Sequence, residues 1–224
     1  NGRLHVAAAG VYYDYKDIQV SYVNSATGSI GAQNAASARI YGLELNGSMQ
    51  LTDAFSVHGG GLIERARFRD YEGAVIYCPA SSASPGYPGC PAPSGKPGLA
   101  GGTADLSGTR IPRAPELSFS IGADYQFPIT DEWKGVLTAN DRYTSSYDLL
   151  PGAGGPLGLS RQKAYHFVTL GLSFENEQAG LEARVFVNNV TKAHYYLDVP
   201  TSAFGVAGSA AAPRTFGGSL AYRF

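Results

Sequence analysis

Apolar and polar residues alternate along most of this chain, and helical spacing is almost absent. In Glu116–Phe127, "ELSFSIGADYQF", Leu117, Phe119, Ile121, Ala123, Tyr125 and Phe127 fall on one face and Glu116, Ser118, Ser120, Gly122, Asp124 and Gln126 on the other. "YGLELNGSMQL" (Tyr41–Leu51) repeats the arrangement, with Tyr41, Leu43, Leu45, Met49 and Leu51 against Gly42, Glu44, Asn46, Ser48 and Gln50. Val168, Leu170, Leu172 and Phe174 oppose Thr169, Gly171 and Ser173, and Leu181, Ala183, Val185 and Val187 oppose Glu182, Arg184 and Asn188, with Phe186 breaking the rule. The pattern predicts eight strands, at about 3–22, 37–51, 54–70, 112–128, 133–147, 161–176, 180–196 and 213–224. Several exceed the five or six residues of an ordinary soluble strand, and at ~3.3 Å per residue each can cross a hydrocarbon layer of about 30 Å at a tilt.

The connections between these strands alternate in length. Thr52–Ala54, Pro128–Glu132 and Asn176–Gly180 are tight polar turns, whereas Val23–Ala36, Tyr71–Ile111, Asp148–Ser160 and Leu197–Ala212 are long. Placing Phe224 at the inner rim puts every short turn on one side of a membrane and every long loop on the other, as in an outer-membrane barrel. The expected architecture is all-β: an antiparallel transmembrane β-barrel segment with short periplasmic turns and long extracellular loops, the whole of 1–224 forming a single unit. Phe55, Phe127, Trp133, Phe174, Tyr222 and Phe224 then gather near the periplasmic rim as an aromatic girdle.

Composition supports an inside-out reading over an ordinary antiparallel sandwich. Only 16% of residues are charged, below the roughly 25–35% of a soluble surface. The polar faces are rich in Ser, Thr, Gly, Asn, Gln and Glu, which suits a wetted lumen. Mean hydropathy is −0.12 and no run approaches the ~20 apolar residues of a spanning helix, a criterion that barrel strands escape. A net charge of −1 provides no basic footprint for nucleic acid. The chain has neither an initiator Met nor a charged leader, so a processed product or a fragment is expected. Cys78 and Cys90 share one Gly/Pro-rich loop, which points to a disulfide and an oxidising compartment, with a metal pair as the alternative.

No catalytic signature emerges. His5, His58, His166 and His194 are scattered without metal-ligand spacing, and no nucleophile elbow or phosphate loop is present. No enzyme, no metal and no covalently bound cofactor are therefore expected. Gly59–Gly61 lies inside a strand, where it relieves crowding or allows bending.

Four stretches carry a family resemblance: "YGLELNGSMQLTDAFSVHGG" (Tyr41–Gly60), "RAPELSFSIGADYQF" (Arg113–Phe127), "RVFVNNVTKAHYY" (Arg184–Tyr196) and "PRTFGGSLAYRF" (Pro213–Phe224). Together they resemble the C-terminal barrel of TonB-dependent outer-membrane receptors. The resemblance implies about eight strands of a 22-stranded barrel in the bacterial outer membrane. It also implies a plug domain and the remaining wall as partners, and coupling to the TonB–ExbB–ExbD system through an N-terminal region not in this sequence. Outer-membrane lipid and lipopolysaccharide would surround it. Phe216, Tyr222 and Phe224 would form the C-terminal signal read by the barrel-assembly machinery. The implied activity is import of a scarce, bulky nutrient: an iron–siderophore complex, cobalamin or an oligosaccharide. The other reading is a self-contained eight-stranded barrel with a structural or adhesive role.

For a transported anionic ligand such as an iron–siderophore, parity along the predicted strands places Glu64, Arg142, Arg161, Lys163, Lys192 and His194 inward near the outer ends. The candidate ligand residues are Arg142, Arg161, Lys163, Lys192 and His194. The bland reading pairs these cations with Glu64, Glu116 or plug acids to keep the lumen solvated. Tyr143 and Tyr147 are expected to face lipid as an outer girdle, while Tyr195 and Tyr196 could stack on a ligand.

Overall fold

The computed structural model describes residues 3–23, 29–83, 89–202 and 204–223. Eight long strands form one continuous sheet: β1 (Leu4–Val23), β2 (Ile30–Gln50), β3 (Phe55–Asp70), β4 (Leu117–Pro128), β5 (Lys134–Thr144), β6 (Tyr165–Asn176), β7 (Leu181–Asn188) and β8 (Thr215–Tyr222). Each is antiparallel to the next in sequence, an up-and-down order in which β1 and β8 are the two free edges. The sheet is therefore an open section of wall, and the self-contained eight-stranded barrel is not what forms.

The register carries one largely apolar face across all eight strands, interrupted by Asp141 of β5, whose carboxylate lies 2.8 Å from His166 Nδ1 of β6. Val6 stands opposite Gly47, Gly47 opposite Gly59, Gly59 opposite Ile121, Ile121 opposite Asp141, and the row continues through Val168. The next row runs Leu170, Val187 and Phe216. Both faces of this open section are accessible, and on the apolar one Leu117, Ile121 and Leu220 are 36%, 57% and 87% exposed. So large a continuous apolar surface on a folded chain is what acyl tails cover. The inner face carries Glu44, Asn46, His58, Asp124, Asn140 and Arg184, with His58 Nδ1 3.4 Å from an Asp124 carboxylate oxygen.

Phe186, the sequence exception, now has a reason. It lies on the inner face directly opposite Gly217, where an added Cβ would come within 2.4 Å of its ring, and the Arg184 guanidinium lies 5.7 Å from the centre of that ring. On the outer face Phe127 covers Gly135 in the same cross-strand way. In both places a ring spreads over the gap left by a glycine opposite it.

The predicted strand ends needed correction in four places. β2 begins at Ile30 rather than 37, so the connection expected at 23–36 shrinks to residues 24–29. The apolar–polar alternation stops over residues 31–37 of the sequence while the backbone ladder with β1 continues, so the pattern ends short of the strand. β4 begins at Leu117 rather than 112, because Pro112 and Pro115 cannot donate to a ladder and Arg113 adopts φ 61°. β5 ends at Thr144 and β6 starts at Tyr165, with Tyr147–Asp148 paired separately to Arg161–Gln162. β7 ends at Asn188, because Asn189 and Lys192 both take φ 55°, a left-handed conformation that stops a strand.

The packed core of the described residues lies near the outer end of the wall. Residues 71–116 contain a hairpin, Ala74–Pro79 with Leu99–Ala104, and bury Tyr71, Ala74, Ile76, Cys78 and Leu106 against Ala38 of β2 and Phe68 of β3. Cys78 and Cys90 are disulfide-bonded, with their Cα atoms 5.7 Å apart.

Candidate functional site

Above the inner face of β5 and β6, three outer segments meet: residues 105–116, 145–164 and 189–214. They form a crown held together by side chains rather than by a ladder. Arg113 is the strap between the first and third. It donates to the Leu197 carbonyl at 2.9 Å and to Asp198 at 3.1 Å, while its own N–H donates to the Asp148 carbonyl at 2.7 Å. Asp148 is buried and accepts from Arg161 Nε at 2.9 Å, and this contact raises the Arg161 pKa further. Gln162, also buried, accepts from the Tyr196 N–H at 2.9 Å, tying the second segment to the third.

Asn189 is the anchor of the third segment. It is 1% exposed, and its amide donates to the carbonyls of Ala193 at 3.0 Å and Ala212 at 3.4 Å while accepting from Ala193 N–H at 2.7 Å. Next to it, Thr191 donates to the His166 carbonyl at 2.6 Å. The Asn-Asn-Val-Thr-Lys segment is therefore a structural hook that turns the chain back over β6.

The hook delivers Tyr195 onto Tyr165, ring on ring at 4.4 Å and 3°, with Phe167 edge-on at 6.3 Å. The Arg142 guanidinium lies 5.2 Å over Phe167. Tyr147 completes the group; burial pushes its pKa up to about 12, assisted by the Tyr165 hydroxyl and opposed by nearby Arg113. The result is an aromatic platform edged by the cations Arg142 and Arg113, opening onto the inner wall. Below it, Glu44, Asn46, Gly60, Leu62 and Arg142 line an open groove of about 490 Å³. Planar rings with a cation at the edge can stack on and neutralise a flat anionic or aromatic ligand.

The five candidate ligand residues do not converge as a group. Arg142 is on the inner wall and exposed, as parity predicted. Arg161 and Lys163 lie in the crown, because the strand predicted at 161–176 begins only at Tyr165, and Arg161 is committed to Asp148. Lys192 and His194 sit past the end of β7, exposed in the hook. Glu116 pairs with Arg67 at 3.0 Å and Arg110 at 3.2 Å rather than with any of the five. Tyr143 faces outward, stacked on Phe119 at 5.1 Å, but Tyr147 belongs to the crown instead of the lipid girdle. Tyr165, Phe167 and Arg113 were missed. Tyr165 and Phe167 share the polar face of β6, and two bulky aromatics there were the available signal.

Phe216 and Tyr222 of the proposed assembly signal lie on the lipid face, 77% and 63% exposed; Phe224 is outside the described residues. Among the described residues no three His, Cys, Asp or Glu side chains are grouped to hold a metal ion.

Comparison with known proteins places this geometry. A family model described as "TonB dependent receptor-like, beta-barrel" matches residues 1–190. No curated protein matches by sequence. Among solved structures, the ferric yersiniabactin uptake receptor of Yersinia pestis superposes with a TM-score of 0.68 at 14% identity, covering 98% of this chain and 27% of that one. A copper transporter, OprC, gives 0.62 at 16% identity, covering 100% and 29%. The ferripyoverdine receptor of Pseudomonas aeruginosa, bound to ferripyoverdine, gives 0.59 at 17% identity, covering 98% and 25%. The chain thus spans about a quarter of the length of these structures.

Proposed function

The chain belongs to the TonB-dependent receptor-like β-barrel family of the Gram-negative outer membrane, and from that premise we propose that it supplies eight neighbouring wall strands of an importer for a bulky, scarce nutrient. The remaining strands would pair along the free edges of β1 and β8, and a plug domain would fill the polar lumen and receive TonB-transmitted energy. The cargo class that best suits the crown is an iron–siderophore complex with an anionic or aromatic chelator. The observation that carries this reading is the platform of Tyr147, Tyr165, Phe167 and Tyr195 with Arg142 over one ring. Within the candidate ligand set, Arg142 has the clearest place in binding; Lys163, Lys192 and His194 would act, if the cargo reaches them, from the exposed crown. The resemblance of solved neighbours that carry ferric siderophores is in keeping with this choice.

The test is uptake of radiolabelled iron by cells carrying the full-length receptor as their sole route, offered catecholate, hydroxamate and mixed chelators one at a time. Arg142→Ala and Tyr195→Ala should each raise the half-saturating concentration of the accepted chelate about tenfold, since each removes roughly 1–2 kcal/mol of contact. If no ferric chelate is taken up while cobalamin or an oligosaccharide is, the cargo class is wrong.

A further inference from the structure

Among the described residues, one ionisable pair interrupts the lipid face well below its outer rim. Asp141 of β5 stands between Ile121 of β4 and Val168 of β6, and His166 of β6 stands opposite Tyr143 of β5, all on the apolar parity. The Asp141 carboxylate meets His166 Nδ1 across the diagonal between the two strands. Gly135 shares a row with Phe127 and Phe174 of the inner girdle, and Asp141 comes six residues after it. For a strand tilted ~40°, that is roughly 15 Å above the girdle, inside an apolar band about 25 Å tall.

The wall does not require this pair. Its backbone groups are satisfied along the ladder whatever side chains face the lipid, and apolar residues of similar volume would serve there at no loss. The pair is also left incomplete. Asp141 Oδ1 is enclosed without a hydrogen-bond partner, and His166 Nε2 makes no hydrogen bond with a described residue. The imidazole is 50% exposed and the carboxylate 34%, so both can be approached from the lipid side. Ionisable groups at membrane depth are costly against acyl tails and mark places where another polar group arrives. Around the pair, Tyr143 stacks on Phe119 at 5.1 Å and lies 4.8 Å from the His166 ring, making an aromatic ridge.

We infer that this patch is the contact through which a second copy of the receptor docks side by side in the membrane. Two copies inserted in the same sense are related by a two-fold axis along the membrane normal, which keeps depth and exchanges left for right. The carboxylate and imidazole tips touch, so they lie at nearly one depth. An axis between β5 and β6 therefore sets each Asp141 opposite the partner's His166. The patch is complementary to itself in charge, whereas an unrelated barrel would need the same pair in the same mirrored order. Lipid tails are as apolar as the wall, so polar contacts and close packing decide association within the membrane. The ridge of rings adds flat, rigid contact area beside the polar centre. The assignment rests on reading the apolar face as lipid-facing.

The experiment uses the full-length receptor reconstituted in bilayers, with copies per complex counted by single-molecule photobleaching over a series of protein-to-lipid ratios. Wild type should become dimeric as the ratio rises. Asp141→Leu combined with His166→Leu makes the face more apolar, so it should insert normally and weaken dimerisation about tenfold through loss of the polar contacts. Asp141→His and His166→Asp should each weaken it about as much, because each copy then presents two like groups. Mixing those two variants should restore pairing between them to within about threefold of wild type. A wild type that is monomeric at every ratio, a double leucine variant that dimerises within twofold of wild type, or a mixture that pairs no better than either variant alone would each overturn the proposal. Heat-modifiable migration reads insertion of every variant separately, and if a charge variant fails to insert, the double leucine variant decides.

Discussion

Ile121 in the wall is 57% exposed, whereas Asn189 in the crown is 1% exposed, and both are where they belong. The wall is a repetitive object: each strand alternates, each neighbour lines up the same parity, and lipid takes the apolar side. Its backbone groups are paired along the sheet, so a single side chain matters mainly through the medium it faces. The crown has no such redundancy. Its segments are joined by a few hydrogen bonds from Arg113, Asp148, Gln162 and Asn189, each made once. A change within a polarity class should therefore cost the wall little, while loss of one of these crown contacts should cost more.

The contrast can be broken most forcefully in the wall. Leu170→Arg, between Ala139 and Val187, places an unpaired cation near the hydrocarbon midplane and should destabilise the full-length barrel by about 2–4 kcal/mol in bilayer unfolding titrations. The adjacent Thr169→Arg, which faces the lumen, should cost about 0.5 kcal/mol. Equal costs at the two positions would abolish the assignment of faces. A second, local effect is expected from removing the disulfide by Cys78→Ser and Cys90→Ser, which bracket a short loop. It should loosen the 71–116 flap by about 3 kcal/mol, read as faster proteolysis there with unchanged heat-modifiable migration of the wall.

Asn189→Ala should cost about 2 kcal/mol, from orphaned buried carbonyls and an alanine held at positive φ. Its readout is proteolysis within 189–214 together with weakened ligand uptake. Asn189→Gly should recover roughly 1 kcal/mol of that loss, because only the backbone penalty is relieved. The smallest effect is titration of Tyr147. Its pKa is raised from 10.0 to about 12, so the folded crown holds the phenolic proton more tightly than the unfolded chain does. The resulting stability is fully present below the ordinary tyrosine pKa and fades as pH climbs from there through about 12. Ultraviolet difference titration should show one late-ionising tyrosine that disappears in Tyr147→Phe.

Legibility in the sequence followed the same division. All eight wall strands and their two faces could be read from alternation, because each residue's side of the sheet depends only on parity and the lipid enforces it over ten or more residues. Strand ends were misread where that enforcement stops. At 30–36 the ladder continues although the alternation in the sequence has stopped, and at 189–196 the alternating pattern runs on although Asn189 and Lys192 turn left-handed. Arg142 was placed correctly because it stands on a wall strand. Arg161, Lys163, Lys192 and His194 were assigned by a parity that no longer applied to them.

By itself the sequence determined what a local rule can determine: period-two strands, their antiparallel succession, the sorting of short turns from long loops, and the family. Tertiary structure alone decided that β1 and β8 do not pair with each other, that Tyr147 leaves the lipid girdle for the crown, and that Arg113 straps 105–116 to 189–214. These are contacts between residues far apart in the chain, made by single side chains without periodicity. No pattern in the neighbouring residues records them.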